Sequence, residues 1–391
     1  MTDRRAMAIL FVTLFLVMLS FGIIIPNLVY YAEDLHATET QVGWLMATYS
    51  LFQFLFSPLW GRFSDRFGRR PAILIGLAGN ALGLYLFGTA EDLGMLFVAR
   101  AVSGALTAAA LPTAMAYVAD VTDEKGRGRG MGLMGAAIGL GFILGPPVGG
   151  WLGRAGHDTP FLLAAGVTLA TLVFALLFLP ESLRPGARPA VRPAWTSPVR
   201  LLRGRLGPFY VLAFFGTFTM AGMETTLPFL IKENLGAGVV ELGWMLGIMG
   251  LAVTLVQGGL LGRLINRFGE EVVLLAGLLV SAAGFFLITT AAGAVGMTLY
   301  LTVAGVGNQI LRPANSSLIS KRTDTGQGAA IGAMNSMDAL GRVFGPFLAG
   351  YLYQLSPSLP YYCGALILSL VFLGVGVTRR PLESKSEVDG A

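Results

Sequence analysis

One cysteine, two histidines and four lysines are all that 391 residues offer of three reactive side chains. The lone thiol, Cys363, excludes an intrachain disulfide and leaves the redox compartment unmarked. His36 and His157 stand apart from each other and from Cys363, so no Cys/His cluster has metal-ligand spacing. Lys125, Lys232, Lys321 and Lys385 close no GxxxxGK[ST] loop, which excludes nucleotide hydrolysis of the P-loop kind. Charge is scarce as well: 13% of residues are Asp, Glu, Lys or Arg, about half the roughly 25% of soluble domains. Apolar residues take the vacated share, at 54%, with 53 glycines among the remainder. No soluble core buries that much apolar surface, so the composition implies an all-α protein that crosses a membrane many times.

Twelve apolar runs are read at 7–30, 43–60, 72–89, 95–118, 130–153, 160–179, 208–231, 242–261, 272–291, 295–318, 329–352 and 360–378. Each suits a helix across a hydrocarbon layer of about 30 Å, and helices are required because lipid satisfies no backbone polar group. The first run is too long, and lacks the cleavage site, for a removable signal peptide. An even number of spans puts both ends on one side. With the runs threaded that way, twenty-two of the 27 basic residues fall on that side, and the opposite side has only Arg154 and Lys232. Both termini are therefore expected in the cytoplasm. The net charge of +5 then calls for anionic lipid headgroups and not for nucleic acid.

The chain also repeats itself. LGW at 242–244 echoes VGW at 42–44, GRLINRFG at 262–269 echoes GRFSDRFG at 61–68, and GPFLAGYL at 345–352 echoes GPPVGGWL at 145–152. A constant offset of about 200 residues implies two parallel, pseudo-symmetric six-helix bundles, 1–179 and 208–378. They are joined by the Arg/Pro-rich linker 180–207 and followed by a tail, 379–391. Within the linker, WTSPVRLLRGRL reads either as an amphipathic helix on the inner leaflet or as a plain basic tether.

Charge is concentrated in GRFSDRFGRRP, residues 61–71, between the second and third spans. An arginine cluster alone would hold a loop inside, but topology requires neither the glycines nor the acid. Gly61, Asp65, Arg66, Gly68, Arg69 and Arg70, set in two halves of six spans, resemble the loop motif of the major facilitator superfamily. The resemblance covers essentially the whole chain. It implies a cytoplasmic latch: Asp65 sits at a helix N-terminus of the other half, where the helix dipole favours an anion, and Arg69 pairs with Asp120. Asn266 replaces the acid in the second copy, so the latch is expected to be asymmetric.

GFILGPPVGG at 141–150 is similar to the fifth-span motif of the family's drug:proton antiporter branch, carried here by Gly141, Gly145, Pro146, Gly149 and Gly150. Its small residues permit close helix crossing, and Pro146 and Pro147 remove two backbone donors. Generic close packing is the other reading.

Charged residues within the spans supply the remaining candidates. Arg100, with Gly104, matches the family's RxxxG arginine, which implies proton handling; snorkelling to the outer interface is the alternative. Glu224, mid-way along the seventh span, has no basic residue within a turn. An ionised carboxylate there costs several kcal/mol, so it should hold a proton unless a partner or water reaches it. It resembles the coupling glutamate of quinolone-type exporters; a permanently protonated hydrogen-bonding residue is the other reading. Asp338 and Arg342, four apart on one helix face, read as a self-neutralising ion pair or as a second protonation site. Gln309 stands where the quinolone-exporter pattern has an acid, three residues before Arg312. The first-span acid of tetracycline exporters is missing from LFLVMLSFGIIIP. The many Phe and Met residues suit a greasy cavity, although lipid-facing and packing roles account for most.

The resemblance implies a monomeric exchanger of the bacterial inner membrane. It would swap protons for an amphipathic, drug-like and cationic compound, driven by a proton gradient with no cofactor or metal. Export of a sugar or a lipid-linked metabolite keeps the same fold. A membrane sensor or scaffold needs an output domain for which the tails are too short, and the spans hold no Ser/His, HExxH or paired-Asp arrangement of an enzyme.

Overall fold

The computed structural model of the chain describes residues 2–122, 124–183, 204, 206–323 and 326–377. Among them all regular structure is helical, in twelve spans. In the first half these are span 1 (Thr2–Asp34), span 2 (Glu39–Phe67), span 3 (Arg69–Gly88), span 4 (Leu93–Thr107 and Ala110–Val121), span 5 (Glu124–Leu152) and span 6 (Thr159–Phe178). In the second they are span 7 (Gly207–Leu235), span 8 (Val239–Leu255 and Leu261–Phe268), span 9 (Glu270–Ile288), span 10 (Ala294–Arg322), span 11 (Gln327–Leu355) and span 12 (Leu359–Val377). The proposed inner-leaflet helix at 195–206 and the tail at 379–391 lie outside the described residues, Leu206 apart.

Among the described residues nine spans are long and apolar enough by themselves to cross a membrane. Spans 2, 7 and 11 are the three that fall short, and two of them carry intramembrane charge, Glu224 on span 7 and Asp338 with Arg342 on span 11. Their polar content marks helices that line an interior and do not face lipid all round.

Local chemistry sets the helix ends. Span 2 starts in a capping box: Gln41 N donates to Thr38 Oγ1 at 3.3 Å and Thr38 N donates to Gln41 Oε1 at 2.8 Å. Asp92 caps span 4 by accepting from Met95 N at 2.8 Å. The stretch 61–67, which reads in sequence as part of a loop, is instead the last two turns of span 2. Only Gly68, at φ 112°, interrupts the helix, and Arg69 opens span 3. Gly269, at φ 80°, makes the corresponding break between spans 8 and 9. A left-handed φ without a Cβ penalty lets one residue reverse the chain.

The internal repeats form the seam between the bundles. A Cβ on Gly43 of span 2 would run into the Pro346 backbone of span 11, and one on Gly243 of span 8 would run into Pro146 of span 5. Trp44 meets Phe347 at a ring separation of 4.3 Å. Along spans 5 and 8 close approach continues through Gly247 on Pro147 and Gly250 on Phe142, and ends where Gly139 faces Thr254. Beyond that level a Cβ on Gly135, Gly132, Gly258 or Gly259 would meet nothing within 4 Å. The buried core follows the same division. One apolar cluster joins both bundles at the end away from residues 61–70 and continues down the second bundle to Phe209, Leu318 and Val375, whereas near residues 61–70 the first bundle has its own cluster around Tyr117 and a small one lies around Leu261. The molecule is closed at this far face and parted at the basic face.

Candidate functional site

Between the bundles, at the depth where the seam opens, lies a cavity lined by Phe21 of span 1, Tyr49 of span 2, Arg100 of span 4, Glu224 of span 7 and Arg342 of span 11. Its volume is about 90 Å³, room for a charged group and not for a whole drug-sized body, whose pockets run to roughly 300–1,000 Å³. Close packing of span 7 on span 11, where a Cβ on Gly222 would sit 2.9 Å from Ala349 Cβ, aims Glu224 inward. Arg342, exposed and on the cavity wall, is the charge that acts on it.

Asp338 and Arg342 share span 11 but form no salt bridge. The carboxylate instead takes Thr217 Oγ1 as a donor to Oδ1 at 2.9 Å, and its Oδ2 lies 3.3 Å from Arg312 Nε of span 10. Arg312 also donates to Asn335 Oδ1 at 3.2 Å. This replaces the sequence expectation of an i,i+4 pair. A helix face fixes which side chains are neighbours, but the packing of spans 7, 10 and 11 decides which cation reaches the acid. Arg312 is 64% exposed and Asp338 14%. A guanidinium that open must face the aqueous gap, since one in hydrocarbon costs about 3 kcal/mol or more. Gln309, a turn earlier on span 10, accepts Gln257 Nε2 of span 8 on its backbone oxygen at 2.9 Å.

Arg100 is buried, at 9% exposure, and no carboxylate among the described residues pairs with it. Its guanidinium lies over the rings of Tyr49 and Phe87 at 5.4 and 5.3 Å, and its Nη2 reaches only the Met46 sulfur at 3.7 Å. Its Nε has no partner.

The basic-face motif is built around Arg69. Its Nη1 donates to Asp65 Oδ1 at 2.5 Å and to Ser64 Oγ at 2.9 Å, while Nε donates to Asp120 Oδ2 of span 4 at 3.1 Å. In this open arrangement Asp65 pairs with Arg69 of its own bundle, and among the described residues it has no ion pair with the other half. Gly61 and Arg66 face outward on the last turns of span 2. Arg70 Nη2 donates to Leu176 O of span 6 at 2.5 Å.

Sequence reasoning missed Glu181. Its carboxylate accepts from Arg69 N at 2.8 Å and Arg70 N at 3.1 Å, capping the start of span 3 from the end of span 6. Ser182 Oγ adds a donor to Asp120 at 3.1 Å. The available signal was that Glu181 is the sole acid in the otherwise basic stretch 180–207. A second omission is a reversed copy of the Arg69–Asp120 pair. At an offset of 201, Glu270 and Lys321 form an ion pair that ties spans 9 and 10 as Arg69 and Asp120 tie spans 3 and 4. At the far face Lys232 Nζ lies 3.0 Å from Glu33 Oε2 across the two bundles, and Thr40 Oγ1 donates to Gln354 Oε1 at 2.9 Å.

The fifth-span motif has two working faces. A Cβ on Gly145 would come 2.6 Å from Gly22 Cα, and Gly141 and Gly149 likewise abut span 1. Pro146, Pro147 and Gly150 meet span 8 of the other bundle. Asn27 of span 1 adds a donor to Gly149 O at 2.8 Å.

Comparison with known proteins agrees with this architecture. Multidrug resistance protein 1 of Bacillus subtilis (strain 168) is 31% identical over 377 residues, 95% of each chain. The class C tetracycline resistance protein of Escherichia coli is 30% identical over 370 residues, 92% of each. Among solved structures, the human organic anion transporter MFSD10 (TETRAN) superposes with a TM-score of 0.72 at 26% identity, covering 95% of this chain and 99% of that one. The sequence profile of the Major Facilitator Superfamily matches residues 10–264 and again 209–390, two overlapping matches that together span both bundles. The chain belongs to the Major Facilitator Superfamily.

Proposed function

We propose that the protein is a proton-coupled secondary active transporter that exports amphipathic, drug-like compounds by alternating access. The observation that carries this reading is the position of Glu224, a carboxyl set in the cavity between the two bundles and within the field of Arg342. A carboxyl there exchanges its proton with whichever face the cavity opens to, and an occupied or vacant proton changes what else the cavity can hold. The resemblance of the chain to multidrug and tetracycline resistance proteins supports the same cargo class.

In this reading the basic face is cytoplasmic in a bacterial inner membrane, by the distribution of Lys and Arg. The state described above receives cargo from the cytoplasm, while Glu33–Lys232 and Thr40–Gln354 hold the outer face shut. Arg69, kept in place by Asp65, Asp120 and the capped start of span 3, is ready to latch the inner face when the bundles rock. Asp338, neutralised by Arg312, is a second protonation site whose occupancy loosens span 10 from span 11. The protein works as a monomer on the proton gradient, without cofactor, metal or covalent chemistry.

The test is reconstitution into vesicles with an imposed pH gradient and a panel of lipophilic cations, tetracyclines, quinolones and sugars. Wild type should accumulate one of the drug-like classes, and Glu224→Gln should lose gradient-driven transport while eluting as the same monodisperse species. Undiminished pH-driven transport by that variant would remove Glu224 from the coupling step.

A further inference from the structure

The cavity contains more positive charge than negative. Its charged lining residues are Arg100, Arg342 and Glu224, so it is net positive whether or not Glu224 carries a proton. The nearby acid Asp338 does not redress this, because Arg312 already matches it. The wall contributed by the first bundle is the more lopsided half. It presents Arg100 together with the neutral donors Gln53, Asn80 and Ser103, and no carboxylate.

Arg100 is the least expected of these groups. A guanidinium more than nine-tenths removed from solvent ordinarily has a carboxylate or several carbonyls within hydrogen-bond distance. Here two aromatic rings and a thioether are its only neighbours of note, and Nε, buried, points at no acceptor. An orphaned buried donor destabilises the folded state, more so when charged, and a cation–π contact offsets part of that. The side chain lines the cavity, so an acceptor entering the cavity can reach it.

We propose that Arg100 forms the anion subsite of the cavity, taking the carboxylate or sulfonate of an aromatic organic anion or zwitterion, with the ring of that ligand against Tyr49 and Phe87. The planar guanidinium matches a carboxylate edge-on, and the rings that now lie under it supply a stacking surface for an aryl group. The cavity volume of about 90 Å³ fits the charged end, while the rest of the ligand extends toward the open basic face. This subsite specifies the cargo of the exporter proposed above and rests on that reading. It departs from the sequence-based expectation of a cationic cargo and assigns Arg100 a role in recognition as distinct from proton handling.

The experiment compares two probes that differ only in the anion. Dansylglycine carries a carboxylate on an aromatic body, and dansylglycinamide has the same body without the charge. Fluorescence titration of the purified full-length protein at neutral pH should show the acid binding at least tenfold more tightly than the amide. Arg100→Gln should erase that preference and Arg100→Lys restore part of it. Equal or undetectable binding of both probes by wild type, or a preference that survives in Arg100→Gln, overturns the subsite. Should the glutamine variant fail to fold, Arg342→Gln decides in its place: the acid preference should survive that change, and its loss there assigns the anion to Arg342 and overturns the subsite. Ethidium and dansylglycine flux in vesicles under a pH gradient separates the two claims. A wild type that moves ethidium yet binds acid and amide alike loses the subsite and keeps the exchanger. One that prefers the acid tenfold yet moves neither compound keeps the subsite and loses the exchanger.

Discussion

Arg69 holds three pieces of chain at once: the end of span 2 through Asp65, the start of span 3 by its own position, and the end of span 4 through Asp120. Its mirror in the second bundle has the charges exchanged, Glu270 with Lys321. The bundle fold therefore needs a pair at this place and is indifferent to its polarity. The single variants Arg69→Glu and Asp120→Lys should each destabilise, and the double variant should recover about 0.5–1 kcal/mol of coupling in thermal unfolding, the range for partly exposed pairs. A double variant that loses the sum of the two singles would refute the equivalence. Transport should stay impaired in the double variant, since the latch needs the original polarity next to Asp65. At this scale the sequence identified which residues carry charge in the membrane and the Arg69–Asp120 partnership. It could not pair Asp338 correctly, because Arg342 lies on the same helix face whereas Arg312 arrives only through the packing of span 10 on span 11.

Spans 2, 5, 8 and 11 do the work of the seam, and glycine spacing shows how. Gly141, Gly145 and Gly149 recur every four residues and so form one stripe against span 1, while Pro146 and Gly150 lie on the adjoining stripe against span 8. Gly145→Leu forces extra volume where backbone already meets backbone and should cost about 1–3 kcal/mol, read as a lower melting temperature and poor yield. Gly135→Phe, below the point where spans 5 and 8 separate, should leave melting unchanged in the open-inward state but abolish transport, because the inner halves can no longer approach. Equal transport by Gly135→Phe and wild type would show that these halves never meet. Much of this level was readable: the twelve apolar runs, their repeat at an offset near 200, and the small-residue motif all appear as local pattern. The break of span 4 after Thr107 and the widened turn Val256–Leu260 in span 8 do have local marks that hydropathy passes over: Pro112 removes the donor that would reach Ala108 O, and Gly258 and Gly259 lie in the widened turn. The helical course of residues 61–67 was hidden for a different reason: hydropathy registers where lipid ends, and span 2 continues past that level into water.

The two bundles together make a device with one closed face and one open face. Glu33 and Lys232 sit on opposite bundles at the closed face, and the chain has a single native thiol, Cys363. With Cys363 replaced by serine, Glu33→Cys and Lys232→Cys can be joined by a short thiol-specific cross-linker. Transport should stop on cross-linking and return on reduction if a cleavable linker is used; transport unaffected by complete cross-linking would mean that the far face need not open. Two halves of like fold, a cavity between them lined by Arg100 and Arg342, and the carboxyl of Glu224 in that cavity form the minimum set for exchanging a proton against a bulkier solute. The most direct measurement uses sealed vesicles holding a pH-sensitive dye with no gradient imposed. Cargo added outside should by itself change the internal pH through wild type and leave it flat through Glu224→Gln. Cargo crossing wild-type vesicles with no accompanying pH change, or an equal change through the glutamine variant, would contradict proton exchange at Glu224.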